Sequence, residues 1–146
     1  MKRLISIVQC LLACFVLSAQ PSLGELADKL ATNKIEAEFS CVYKADVPIN
    51  YSGRVTAQDN CFHAVINGLE SYCDGTRLVI VDKESKEIYI ESARGLEAFL
   101  KSNIKNVSSL KFSSLELSEK SKDLSSFTVD CASYGAEWVI TDLRQE

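Results

Sequence analysis

The sequence predicts an α+β fold dominated by β-strands. Apolar residues alternate at period two through most of the chain, as half-buried strands require. Turn signals, Asn67-Gly68 and Asp74-Gly75 among them, recur at short intervals, so the strands read as an antiparallel meander. Helical spacing is confined to two short stretches, near residues 25–33 and 95–103.

The first residues read as an export signal. Met1-Lys2-Arg3 carries positive charge, Leu4 to Leu17 is apolar but for Ser6 and Gln9, and small or polar residues follow from Ser18. The expected signal is residues 1–19, cut after Ala19, with a cut after Gly24 as the alternative. Ser22-Leu23-Gly24-Glu25 has the form of a helix capping box, which only the earlier cut preserves. A lipoprotein signal at Leu11-Leu12-Ala13-Cys14 is opposed by Phe15-Val16-Leu17, which prolong the apolar run past the cysteine. The expectation is an exported protein, with residues 20–146 as one domain.

Glu25 to Asn33 is expected as a helix, with Leu26 and Leu30 on one face. From Lys34 the period becomes two, with Ile35, Ala37, Phe39, Cys41 and Tyr43 on one parity. Pro48 punctuates, and Ile49 to Ala57 alternate again, with Gly53 marking a bulge or sharp bend. Strands follow at Cys61–Ile66, Leu69–Cys73, Thr76–Val81 and Lys86–Glu91. Leu96, Phe99 and Leu100 fall at i, i+3 and i+4 of the second helix. Alternation returns at Leu110–Phe112 and Leu115–Leu117, read as roughly one hairpin. Ser118 to Ser125 is a loop, and Phe127–Asp130 and Trp138–Asp142 close the chain as strands.

Composition narrows the chemistry. The chain has 146 residues, 16 basic against 20 acidic, a formal charge of -4 and one histidine. A net acidic domain is a poor fit to phosphate, so no nucleic-acid partner is expected. With His63 alone, neither a histidine-ligated metal nor a histidine-centred relay is expected, and no cofactor is expected. Beyond the signal the cysteines are Cys41, Cys61, Cys73 and Cys131, an even set that in an exported domain points to disulfides.

Loop length decides which cysteines meet. A two-residue Asn67-Gly68 turn sets Phe62 opposite Cys73. A three-residue loop from Ile66 sets Cys61 opposite Cys73, Phe62 opposite Tyr72 and Val65 opposite Leu69. The second register pairs like with like, and is the one expected. A Cys61–Cys73 bridge follows, leaving Cys41 for Cys131, with buried free thiols as the alternative.

Taken in order, these segments resemble the outer-membrane lipoprotein carrier family, the LolA-like proteins. Ile35-Glu36-Ala37-Glu38-Phe39-Ser40 after the opening helix is similar to the family's start. Ser52-Gly53-Arg54-Val55 and then Phe62 are similar to its second strand and the phenylalanine that follows. Asp74-Gly75-Thr76-Arg77-Leu78 is the most specific piece, similar to the family's D-G-x-x-L pattern, though Val79 stands where the family usually has tryptophan. Phe127-Thr128-Val129-Asp130 and Val139-Ile140-Thr141-Asp142-Leu143-Arg144 resemble its closing motifs. The family's gating arginine has no counterpart in Ala57-Gln58-Asp59-Asn60, and its second meander is shortened here.

The resemblance implies a curved antiparallel sheet forming an incomplete (half) barrel covered by short helices. It implies a periplasmic, non-enzymatic carrier or chaperone that holds the acyl chains of lipoproteins for transfer to the outer membrane. Its partners would be acylated lipoproteins, an inner-membrane releasing complex and an outer-membrane acceptor. The cavity candidates are Phe39, Phe62, Leu78, Ile80, Ile88 and Ile90, with Leu96, Phe99 and Leu100 as lid. Leu78-Val79-Ile80-Val81 is apolar on both faces, so which parity faces inward stays open, and a packed core would show the same alternation. One rival is a lipid- or envelope-protein-sensing module of the same fold. The other is a thiol enzyme using His63 and a cysteine.

Overall fold

The computed structural model describes residues 23–94 and 104–144. The expected signal and the lid residues Leu96, Phe99 and Leu100 lie outside the described residues. Helix α1 (Leu23–Thr32) runs directly into strand β1 (Asn33–Tyr43). Thr32 Oγ1, which donates to the Asp28 carbonyl at 3.2 Å and to Asn33 Oδ1 at 2.9 Å, sits at the change of period. There follow β2 (Ile49–Gln58), β3 (Cys61–Ile66), β4 (Leu69–Cys73), β5 (Arg77–Asp82), β6 (Glu87–Ser92), β7 (Val107–Glu119) and β8 (Val139–Asp142).

The eight strands of the described residues share one sheet, ordered β7-β1-β2-β3-β4-β5-β6-β8. The meander β1 to β6 is antiparallel throughout, and β8 adds to β6 in parallel. The sheet ends in β7 and β8 and is not closed. Among the described residues the fold is mostly β with little helix, as the alternation predicts.

Four expectations are corrected. The hairpin expected within 110–117 is one continuous strand, β7, laid antiparallel on β1 with two register shifts opposite Glu38–Val42. Ser113 and Ser114 do not turn the chain because β1 offers an unpaired edge along their whole length. Phe127–Asp130 is not a strand: Phe127 ends a 3-10 turn, Ser125–Phe127, and is almost fully buried. Of the bulge or sharp bend expected at Gly53, the bulge is absent, since the register runs unbroken through it on both sides. Gly53 is instead a close approach, where an added Cβ would collide with the Val65 carbonyl oxygen and lie 2.9 Å from Ile66 Cα.

The hairpin register is the fourth correction, and it carries the disulfides with it. Asn67 and Gly68 have φ of 47° and 83°, so the turn holds two residues, with Ile66 opposite Leu69 and Phe62 opposite Cys73. Two successive positive φ values match the twist of the flanking strands. Asn67 also earns its place through β2. Its Oδ1 accepts from the Ser52 amide at 3.1 Å, and its Nδ2 donates to the Asn50 carbonyl at 3.0 Å. Pairing like with like across β3 and β4 is outweighed by these turn contacts.

Cys61 and Cys73 therefore point to opposite faces of the hairpin. The Cys73 thiol donates to the Asn60 carbonyl at 3.6 Å. Cys41 packs in the cluster on one face of the sheet and Cys131 against the cluster on the other. Neither expected bridge forms, and no disulfide joins the described cysteines.

Those two clusters are the core. The larger spans β1 to β5 and β7 on one face and takes in Leu30 of α1. The smaller, Val79, Val81, Ile88 and Ile90, is covered on the other face by Val129, Cys131, Tyr134 and Trp138. The segment after β7 is clamped to the α1 end of the sheet. Buried Gln58 donates to the Ser121 carbonyl and accepts from its amide, both at 2.9 Å. Lys120 Nζ donates to the Ala31 carbonyl at 2.8 Å and pairs with Asp59 at 2.9 Å.

Candidate functional site

Antiparallel register places directly opposed residues on the same face. Following those pairs across the sheet gives a row of Leu115, Ala37, Val55, Ala64, Ser71 and Ile80. Its centre is built from small side chains. The flanking rows carry Phe39, Ile66 and Leu69 on one side and Ile35, Phe62 and Leu78 on the other, but at β2 they carry Gly53 and Ala57, both smaller than Val55 between them. On β1, β3 and β4 the smaller residues of the central row form a trough within the larger cluster, buried along its length and interrupted at Val55.

Of the expected cavity residues, Phe39, Phe62, Leu78 and Ile80 all stand on this face and all are buried. Ile88 and Ile90 do not. They pair with Val81 and Val79 and belong to the smaller cluster on the opposite face. With β5 apolar on both sides, period alone cannot assign β6, and the cover that Tyr134 and Trp138 supply settles its parity. Tyr89 is the β6 residue that packs against the larger cluster.

The floor is covered, but its margin is not. Leu117 and Leu115 stand opposite Ile35 and Ala37 on the edge strand β7, and they are 44% and 42% exposed, whereas Ile35 and Ala37 are 0% and 4%. Sequence reading missed both leucines as part of this face because it broke β7 into a hairpin. It missed Ser71 too, although the alternation of Leu69, Ser71 and Cys73 is a sufficient signal for it.

The other face differs in chemistry. Beside the smaller cluster, a shallow groove of about 420 Å³ is lined by Glu36, Glu38, Arg54, His63, Ser114 and Glu116, among others. The His63 ring stacks on Tyr72 with centroids 4.5 Å apart and planes 19° apart. Its Nε2 is buried with no hydrogen-bond partner among the described residues. Next to it, Glu70 accepts from Tyr72 Oη at 3.0 Å and from Lys83 Nζ at 2.9 Å.

Burial pushes the His63 pKa down, holding the ring neutral. Burial alone would raise Glu70, but its bonds from Lys83 and Tyr72 outweigh this and hold the carboxyl below its ordinary value. Burial and the Glu70 hydrogen bond raise Tyr72 to about 12. Burial also pushes up the Cys61 thiol, reinforced by Asp74 and Asp59, and lifts Cys73 to about 11. Neither thiol is therefore a thiolate at neutral pH, the form a nucleophile needs. Among the described residues no three His, Cys, Asp or Glu side chains converge as a metal site.

These shifts fix a pH dependence. The unfolded chain protonates its histidine near 6.5, before the folded one does, so stability falls as the pH drops below that value. A second loss follows below about 4.5, where Glu70 and Asp74, both depressed in the folded state, are protonated. Thermal melts from about pH 8 to 3 are expected to show both limbs, and His63→Gln to remove the upper one alone. A variant curve that superposes on the wild type between about pH 5 and 7 would contradict this.

No family model matches the chain, and no curated protein matches it.

Proposed function

We propose that this protein is a non-enzymatic acyl-chain carrier, a LolA-like incomplete barrel that works in the periplasm after export. The observation that carries the reading is an apolar face spanning six adjacent strands and left open at one margin, where Leu115 and Leu117 stand exposed beside the buried floor. Each CH₂ removed from water contributes about 0.8 kcal/mol, so a trough walled by Phe39, Ile66, Phe62 and Leu78 is a favourable place for hydrocarbon. An acyl chain enters at the β7 margin and parts the contacts that cover the floor, including those of Leu30. Acylated lipoproteins are the proposed cargo, received from an inner-membrane releasing complex and passed to an outer-membrane acceptor.

The raised thiol pKa values favour this reading over a thiol enzyme. The polar groove around His63 favours a second reading, in which the protein senses a lipid or an envelope protein without transporting it. Binding and transfer separate the two. The folded protein is expected to bind a fluorescent fatty-acyl probe saturably and to remove an acylated lipoprotein from membrane vesicles. Binding without removal supports the sensor, and absence of probe binding by the folded protein overturns the carrier.

A further inference from the structure

Ser71 does not belong to an ordinary core. It is 1% exposed, its Oγ has no hydrogen-bond partner among the described residues, and it occupies the apolar parity of β4 between Leu69 and Cys73. Its cross-strand neighbours are Ala64 on β3 and Ile80 on β5, neither of which can pair with the hydroxyl. A buried hydroxyl left unpaired is destabilising, and native proteins supply almost all such groups with a partner. The partner missing here is one the protein would meet in the trough.

We propose that Ser71 is the polar anchor of the trough, and that its hydroxyl donates to the carbonyl oxygen of an ester-linked acyl chain. The proposal rests on the reading of this face as acyl-binding and names the ligand class. A neutral carbonyl fits better than a free carboxylate, because on this face no Lys or Arg stands in β1 to β5, where the inward parity is filled by the larger cluster. Burying a carboxylate there would leave its charge uncompensated, whereas an ester needs one donor. The walls supply affinity for any hydrocarbon. The hydroxyl supplies register, fixing how far along the trough the chain lies.

The test compares two probes of equal length, a long-chain acyl ester and the corresponding ether, on the wild type and on Ser71→Ala. The wild type is expected to prefer the ester by roughly tenfold, the effect of one hydrogen bond worth about 1.4 kcal/mol. Ser71→Ala is expected to abolish that preference, to leave ether affinity unchanged, and to raise the melting temperature of the empty protein by removing an unpaired hydroxyl. An ester preference that survives in Ser71→Ala overturns the anchor while leaving the acyl-binding reading standing. Failure of both probes to bind the folded wild type overturns that reading, and the anchor with it. A diacylated lipopeptide and a glycerophospholipid, run through the same comparison, identify the source of the ester: the one that loses more affinity in Ser71→Ala is the one whose carbonyl Ser71 holds.

Discussion

Gly53→Ala is expected to lower stability by about 4 kcal/mol or more, enough to leave a marginally stable domain largely unfolded. The cause is collision between backbone and side chain, which no rotamer relieves. The added Cβ would run into the Val65 carbonyl oxygen and sit 2.9 Å from Ile66 Cα, and both atoms belong to the paired strand β3. Relief requires β2 and β3 to separate at the position where Phe39, Gly53 and Ile66 stand in one row. That row is one wall of the trough. Gly68→Ala is the control, because nothing lies within 4 Å of its added Cβ and only its φ of 83° resists the change. The control is expected to cost about 1 kcal/mol. Urea unfolding of both variants reads the difference directly, and equal costs would contradict the close approach at Gly53.

Ala64→Leu is expected to lower affinity for an acyl probe at least tenfold. Ala64 sits at the middle of the trough, opposite Val55 and Ser71, and is 1% exposed. Its methyl is the smallest side chain on the inward parity of β3, between Phe62 and Ile66, and a leucine there takes up the space an acyl chain would need. Over-packing costs about 1–3 kcal/mol, so the variant is expected to stay folded at moderate temperature. Val65→Leu adds bulk one residue away but on the opposite parity, beside the polar groove, and is expected to bind the probe like the wild type. Equal affinity losses in the two variants would place the acyl site elsewhere.

Much of this architecture was legible because strand periodicity is a local property. The inward parity of β1, from Ile35 to Tyr43, follows from alternation alone, and the structure buries those five residues. The bounds of β3 and β4 were also readable, because Asn67-Gly68 fixes where the chain reverses. The register between them was not. It depends on Asn67 reaching Ser52 and Asn50 of β2, residues distant in sequence. Ile88 and Ile90 failed as cavity residues for the same kind of reason. Their parity is decided by Tyr134 and Trp138, which cover the far face from the end of the chain. The candidate site was half legible: Phe39, Phe62, Leu78 and Ile80 share a face, while the open margin at Leu115 depended on β7 staying continuous. The disulfide expectation failed with the register, since a shift of one residue moves every side chain to the other face.

Methyl NMR during titration with a long-chain acyl ester tests the central claim most directly. Ala37, Ala64, Ile66 and Ile80 belong to the trough and its walls, while Val79, Val81, Ile88 and Ile90 form the smaller cluster on the opposite face. Shifts confined to the first four, saturating together with probe binding, are the predicted result. Shifts confined to the second four, or no shifts at ligand concentrations that solubilise the probe, would contradict it.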